Sequence, residues 1–211
     1  MQPHELGNAR AGWWVERIEN EERLESLSDP FQSGMRTLFQ GSTGQNVRSF
    51  LRGDWLGHPL HPVLTDIPIG AWTAATIFDL ASLMGARHLE RAAQASVAVG
   101  VFGAIGAAVT GMADWSGVEG KSQRVGVVHA GLNAIGLGLQ IASLVRRRTG
   151  RGSGRVLSGL AFLISSSAAY LGGQLVYQLG TRVSGRPQEK AYPSGRGMGE
   201  SYGADFTGDL Q

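Results

Sequence analysis

Three long stretches of this chain contain no charged residue. No Asp, Glu, Lys or Arg occurs in Ala92–Ala113, Val125–Val145 or Val156–Thr181. Each stretch is long enough to cross the hydrocarbon core of a bilayer, about 30 Å thick, as a helix. A fourth candidate, Ile67–Ala86, is interrupted only by Asp79. The pattern therefore predicts an all-α integral membrane protein built as a four-helix bundle.

A charged segment precedes the predicted bundle. Between Trp13 and Phe39, apolar residues recur at helical spacing among acidic ones, which predicts an amphipathic helix ending near Pro30 and a second short helix after it. Gly41–Asn46 has the composition of a linker. This arm either lies on the membrane surface or packs on the loops of its own bundle or on a partner. The predicted division is an N-terminal arm and linker at 1–56, a transmembrane domain at 57–181 and a disordered polar tail at 182–211.

Composition excludes several classes of site and partner. The chain has no cysteine, so it forms no disulfide, thiolate metal site or cysteine-ligated iron–sulfur cluster. A formal net charge of +2 without a basic patch argues against nucleic acid. No nucleophile elbow, phosphate loop or paired-histidine helix motif is present, which argues against an enzyme. The N-terminus lacks the features of a secretory signal, so both termini are expected in the cytoplasm.

Two His-Pro dipeptides, at His58 and His61, stand directly before the first apolar run. A proline disfavours the α region for the residue before it, so both histidines are expected in extended backbone. In polyproline geometry their imidazoles would leave one face of the chain, about 9 Å apart along its axis. The helix is then expected to begin near Thr65 or Asp66, with Pro68 in its first turn.

Four crossings place distant polar residues at one end of the bundle. The start of helices one and three and the end of helices two and four must lie on the same side of the membrane. His58, His61 and His129 therefore share one mouth, and so do the polar residues Asp66, Asp114, Asn133 and Gln174. Asp79 either falls inside the first span or, if that helix ends early, lies at the membrane interface. Because no span offers a cation, an Asp79 inside the span is expected to be neutral or held by hydroxyls such as Ser82 or Ser165–Ser167.

Two functional interpretations follow. In the first, the protein is a redox-associated membrane subunit whose His58, His61 and His129 bind haem b or a divalent metal, supported by the carboxylates and amides of the same mouth. In the second, the histidines only cap helix ends, and the protein is a structural membrane module that docks a partner, or a second copy, through its arm. The arginine cluster 146–155 is expected to contact lipid headgroups.

A transporter would need repeat symmetry and a polar path through the bilayer. Helices one and three both begin with histidine, which hints at a duplicated hairpin. The glycine-lined second helix, however, offers no polar path.

The string Asp54–Trp72, with Asp79 further on, resembles the signature of a bacterial membrane family known as domain of unknown function 2231. The resemblance covers residues 12–183 and includes Gly111–Trp115, His129–Asn133 and Tyr170–Tyr177. It implies a four-helix protein of the bacterial inner membrane. Relatives that continue into a Rieske domain imply an electron-transfer setting, although this chain lacks that domain. Gln174 stands where the family pattern leads us to expect a histidine.

Overall fold

The computed structural model describes residues 12–149 and 153–182, which are almost entirely helical and include no strand. This confirms the all-α class. The last helix continues into a single π-helical segment, Gln174–Gln178. Within the described residues the α-helices are α1 Trp13–Asn20, α2 Arg23–Leu38, α3 Gly41–Arg52, α4 Leu60–Leu83, α5 Glu90–Trp115, α6 Gly120–Arg148 and α7 Ser153–Gly173. The predicted tail lies outside the described residues apart from Arg182.

The four long helices form two hairpins, α4 with α5 and α6 with α7, which pack against each other. Glycines lie where helices approach closely. A Cβ at Gly100 would collide with the indole of Trp72, and one at Gly136 would collide with Oγ of Ser165. Small residues permit this approach in lipid, where packing rather than water exclusion holds helices together.

Among residues 12–149 and 153–182, three segments are long and apolar enough to cross a membrane: Arg87–Trp115, Gly120–Arg148 and Ser153–Gln178. The predicted membrane helices are thus confirmed, but the predicted number of four is not, because α4 does not meet the same criterion. Its sequence includes Asp66, Asp79 and two prolines, which lower its apolar character.

The start of α4 corrects the prediction for the His-Pro segment. The helix begins at Leu60, so His61 is helical rather than extended. Pro62 is tolerated because the amide groups of a first turn have no partner inside the helix. Pro68 consequently lies inside α4 and not in its first turn. A Cβ at Gly103 would lie 2.9 Å from Cδ of Pro68, so the proline ring packs tightly on α5.

The arm also differs from its prediction. α2 runs through Pro30, where a helix end was expected, and α3 begins at Gly41, where a linker was expected. Local propensity is a weak determinant that tertiary contacts override. In α2 the decisive contacts come from Gln32, which is fully buried and whose Nε2 donates to the carbonyls of Trp115 and Val118 at 3.0 Å each.

The arm packs on its own bundle, at the end where α4 begins. Val15 of α1 is buried with Val125 and Leu171. The rings of Trp14 and Tyr170 lie 5.3 Å apart. The sequence left open whether the arm lies on the membrane surface, on its own bundle or on a partner. In the structure it is packed on the bundle.

Candidate functional site: a histidine pair at the mouth of the bundle

His61 of α4 and His129 of α6 meet between the two hairpins. Their ring centroids are 6.3 Å apart, and the rings are nearly perpendicular, at 82°. The structure thus brings together two of the three predicted histidines. His58 is exposed in the turn before α4 and does not join them.

Each imidazole is anchored to the other helix of its hairpin by the same kind of hydrogen bond. Nδ1 of His61 lies 2.8 Å from the carbonyl oxygen of Ala107, and Nδ1 of His129 lies 2.8 Å from that of Ala168. A carbonyl oxygen can only accept, so Nδ1 carries the proton in both rings. In the neutral imidazole, Nε2 is then the nitrogen with a free lone pair.

Glycines make room for both rings. A Cβ at Gly111 would lie 2.9 Å from Nδ1 and Cε1 of His61. A Cβ at Gly172 would lie 3.1 Å from Cε1 of His129. Each imidazole therefore packs against bare backbone one helical turn beyond the carbonyl that it contacts.

Asn133 completes the surroundings of His129. Its Nδ2 lies 3.1 Å from Nε2 of His129 and 3.0 Å from the carbonyl oxygen of the same residue. Since Nδ2 donates, it occupies the lone pair of Nε2. Any ligand that binds this nitrogen must displace the amide.

The two hairpins repeat the same contacts at constant spacing. His129 follows His61 by the same 68 residues that separate Arg147 from Asp79. Ala168 and Gly172 follow Ala107 and Gly111 by a second constant offset. The duplicated hairpin, only hinted at in the sequence, is thus visible in its contacts.

At the opposite end of the bundle, Asp79 is buried in an ion pair. Nη1 of Arg147 donates to Oδ1 of Asp79 at 2.8 Å, and Nη2 of the same guanidinium contacts Oδ2. Nε of Arg155 lies 3.8 Å from Oδ1 of Asp79. The expectation of a neutral or hydroxyl-bound Asp79 was therefore wrong. Ser82 instead donates to Glu90 at 3.2 Å.

Arg147 is the residue that sequence reasoning missed. The arginine cluster was expected to contact lipid headgroups, yet the Arg147 side chain is only 8% exposed. The signal that identifies it is the repeat, because Arg147 occupies in α6 the position that Asp79 occupies in α4. A charge reversal at equivalent positions of a duplicated hairpin predicts that the two side chains meet.

Asp114 lies in a charged cluster at the histidine end. Its Oδ1 is 3.0 Å from Nε of Arg182 and 3.8 Å from Nε of Arg52. Burial lowers the pKa of Arg52, and the neighbouring Arg182 and Arg48 lower it further. Burial raises the pKa of Asp54, but a hydrogen bond from Ser49 and the charges of Arg52 and Arg182 outweigh it, so the pKa of Asp54 is lowered overall.

The remaining predicted residues do not contact the histidine pair. Asp66 is exposed on α4. Gln174 donates to Oε1 of Glu19 at 3.1 Å and so fastens α1 to the bundle. Among residues 12–149 and 153–182, no group of three or more His, Cys, Asp or Glu side chains could hold a metal ion. Of the three predicted histidines, only His61 and His129 lie side by side.

These features define an all-α membrane protein whose two hairpins meet at a histidine pair. The chain belongs to the family described as predicted membrane protein (DUF2231), whose model matches residues 57–185. The match begins after α3, so the docked arm lies outside it. No curated protein and no solved structure matches the chain.

Proposed function

We propose that this protein is a redox-associated membrane subunit in which His61 and His129 together bind one metal centre. The observation that carries the proposal is the shared tautomer of the two rings. Both give their Nδ1 proton to a backbone carbonyl at 2.8 Å, which leaves Nε2 of His61 as a ligand and, once the Asn133 amide moves away, Nε2 of His129 as well. Metal-ligating histidines are usually held by such a hydrogen bond, which fixes the ring and increases the basicity of the ligating nitrogen.

The number of ligands restricts the metal. Zinc sites normally take three or four protein ligands, whereas a haem brings its porphyrin nitrogens and could be held by two histidines. The two ring centroids lie 6.3 Å apart, close enough for both Nε2 atoms to bind one metal centre. Haem b is therefore the preferred occupant, with a copper ion as the other.

The residues of the chain would orient and shield such a centre. Gly111 and Gly172 let the rings pack on backbone, and Ala107 and Ala168 hold their proton-bearing nitrogens. The Asn133 amide must leave Nε2 of His129 on binding. The bound metal would supply one-electron transfer.

Absorption spectra and metal analysis of the detergent-purified protein test this proposal. We expect the wild type to carry haem or copper, and His61→Ala and His129→Ala each to lose it. His58→Ala is the matched control, because His58 is exposed and near in sequence to His61. A wild-type protein that stays colourless and metal-free after expression with added haem and copper would exclude the proposal.

A second candidate function is docking of a partner protein through the arm. What favours it is an apolar stripe on the outer side of α2, where Leu27, Phe31 and Leu38 are 74%, 53% and 67% exposed. A photo-crosslinking residue at Leu27 should then join the chain to another polypeptide in cells. Crosslinks to lipid alone would contradict this candidate.

We also propose that α4 is a fourth membrane crossing. The support is that α4 pairs with α5 along its length, from His61 at Gly111, through Pro68 at Gly103, to Trp72 at Gly100. A helix of 24 residues extends for about 36 Å, which exceeds the hydrocarbon thickness. Its buried carboxylate at Asp79 is compensated by Arg147.

A further inference from the structure

Four large apolar side chains are exposed on the last part of the arm. They are Val47 and Phe50 of α3, and Trp55 and Leu56 of the short 3₁₀ turn Asp54–Leu56 that follows it. Each is between 43% and 62% exposed. Val47 and Phe50 are three residues apart, so they lie on one face of α3. These four residues form the apolar strip, a concentration of exposed apolar surface that is typical of an interaction site.

Two aromatic rings form the centre of the apolar strip. The rings of Phe50 and Trp55 stack with their centroids 5.8 Å apart and 15° between their planes. Nε1 of Trp55 donates to the carbonyl oxygen of Phe50 at 3.1 Å. The polar nitrogen of the indole therefore already has a partner within the chain. This reduces the cost of moving the ring from water into an apolar environment.

The opposite side of α3 faces the bundle. Arg48 and Arg52 each lie two residues from Phe50, which places them about 160° around the helix axis from it. Nε of Arg48 donates to the carbonyl oxygen of Ala113 at 3.5 Å. Nε of Arg52 lies 3.8 Å from Oδ1 of Asp114. The apolar strip therefore points away from the bundle while the arginines hold α3 against the end of α5.

These contacts set the level of α3 relative to the membrane. Ala113 and Asp114 are among the last residues of the span Arg87–Trp115. Gly53, which follows α3, packs on the start of α4, where a Cβ would lie 2.9 Å from the amide nitrogen of Leu60. A helix held beside the end of a span lies at the level of the lipid headgroups, outside the hydrocarbon core. The apolar strip thus continues the lipid-facing surface of the bundle at its histidine end.

The composition of this stretch suits a lipid surface. Residues 41–56 contain Arg48, Arg52 and a single acidic residue, Asp54. Helices that lie in the membrane surface typically combine Lys or Arg on the polar side with Trp, Phe or Leu on the apolar side. Tryptophan is also enriched at membrane–water interfaces, where its ring sits among the headgroups.

We propose that α3 and Asp54–Leu56 form a membrane-interface anchor, in which the apolar strip inserts into the boundary between the headgroups and acyl chains of the bilayer that α5 crosses. The side chains of Val47, Phe50, Trp55 and Leu56 contact lipid. The apolar side of such a helix is buried about 5–10 Å into this boundary. Arg48 and Arg52 stay on the bundle side and fix the rotation of α3 about its axis.

The anchor gives a role to a stretch whose composition predicts a linker. It lies directly before α4, so it holds the start of the helix that carries His61 at the membrane surface. The anchor requires that α5 crosses the bilayer, and it does not depend on a metal at the histidine pair. Failure of the metal proposal therefore leaves it unaffected.

A spin label at position 50 tests the proposal, because the natural chain has no cysteine and Phe50→Cys provides one attachment site. The labelled full-length protein is placed in lipid nanodiscs. Oxygen concentrates in the bilayer, whereas a nickel chelate stays in water. Gln45→Cys is the matched control, because Gln45 is exposed and lies on about the opposite side of α3 from Val47 and Phe50. We expect the ratio of oxygen to nickel relaxation to be several-fold higher at position 50 than at position 45.

Two results at position 50 would overturn the proposal. A label relaxed mainly by nickel would show that the apolar strip faces water. A label reached by neither reagent would show that the strip is covered by protein, either a second copy of the chain or a partner.

Tryptophan fluorescence provides a second measurement that leaves Phe50 in place. The difference in fluorescence between the wild type and Trp55→Phe isolates the emission of Trp55. We expect acyl chains brominated near the headgroup to quench this emission several-fold more strongly than iodide in the water. Stronger quenching by iodide, or quenching by neither, would overturn the proposal even if Phe50→Cys disturbs the aromatic pair.

Discussion

At the scale of single residues, the buried groups of this protein are held by partners far away in the sequence. Asp79 and Arg147 are separated by 68 residues, and their side chains are 9% and 8% exposed. A buried ion pair adds little net stability, but removing one partner leaves an uncompensated charge. Substitution of either residue alone is therefore expected to destabilise the protein.

We expect Asp79→Asn to destabilise the protein by about 3–5 kcal/mol, because the Arg147 guanidinium then stays buried without a counter-charge. Denaturant unfolding in detergent measures the change. Asp66→Asn is the control on the same helix, since Asp66 is exposed and surface changes usually cost within about 0.5 kcal/mol. Equal stability of the two variants would show that the ion pair does not form.

A second residue-scale prediction concerns the packing of His129. The added methyl group in Gly172→Ala would lie 3.1 Å from Cε1 of the ring and should displace it from the Ala168 carbonyl. Overpacking of this kind costs about 1–3 kcal/mol. Nitrogen NMR of labelled histidine should show a changed Nδ1 signal for His129.

Gly159→Ala is the matched control in α7, because a Cβ there meets no atom within 4 Å. It should leave the histidine signal unchanged. If Gly172→Ala also leaves the histidine signal unchanged, Gly172 does not contact the imidazole of His129 tightly.

At the scale of helices, tertiary anchors decide where the arm is helical. α2 contains Pro30, and α3 begins with a glycine, yet both are formed and docked. α2 is fastened by Gln32 and by the Nε2 of Gln123, which lies 2.9 Å from Oγ of Ser28 and 2.7 Å from Oδ1 of Asp29. Through these hydrogen bonds, α2 is held over the loop between α5 and α6, at the histidine end of the bundle.

We expect Gln32→Ala to loosen α2 from the bundle. The change leaves the carbonyls of Trp115 and Val118 without their side-chain donor, at a cost of about 1–3 kcal/mol. Hydrogen exchange should become faster across Arg23–Leu38 and stay unchanged in α5 and α6. Gln40→Ala is the control, because Gln40 is exposed and its side chain does not cap α3. If α2 is equally protected from hydrogen exchange in both variants, Gln32 does not anchor it.

At the scale of the whole molecule, two similar hairpins form one bundle with different ends. The histidine end is covered by the arm, and the other end is held by the Asp79–Arg147 ion pair. If all four long helices cross the bilayer, the turn before α4 and the loop after α5 lie on one side. The turn between α4 and α5 lies on the other.

Labelling of single cysteines tests this topology, because the natural chain has none. His58→Cys, His88→Cys and Glu119→Cys place a thiol in three exposed turns. A membrane-impermeant maleimide should reach positions 58 and 119 from one side, expected to be the cytoplasm, and position 88 from the other. Labelling of positions 58 and 88 from the same side would exclude α4 as a membrane crossing.

The charge-free stretches alone determined the helical membrane class, and the up-and-down order of four helices predicted that His61 and His129 lie at one end, where the structure has them. These features could be read from the sequence because they depend on composition and on the direction of the chain. Only the tertiary structure decided the Nδ1–H tautomers, the partner of Asp79, the helical state of His61 and Gly41, and the exposure of His58. The tautomers and the partner of Asp79 depend on contacts with residues on another helix, and local propensity contains no information about those contacts.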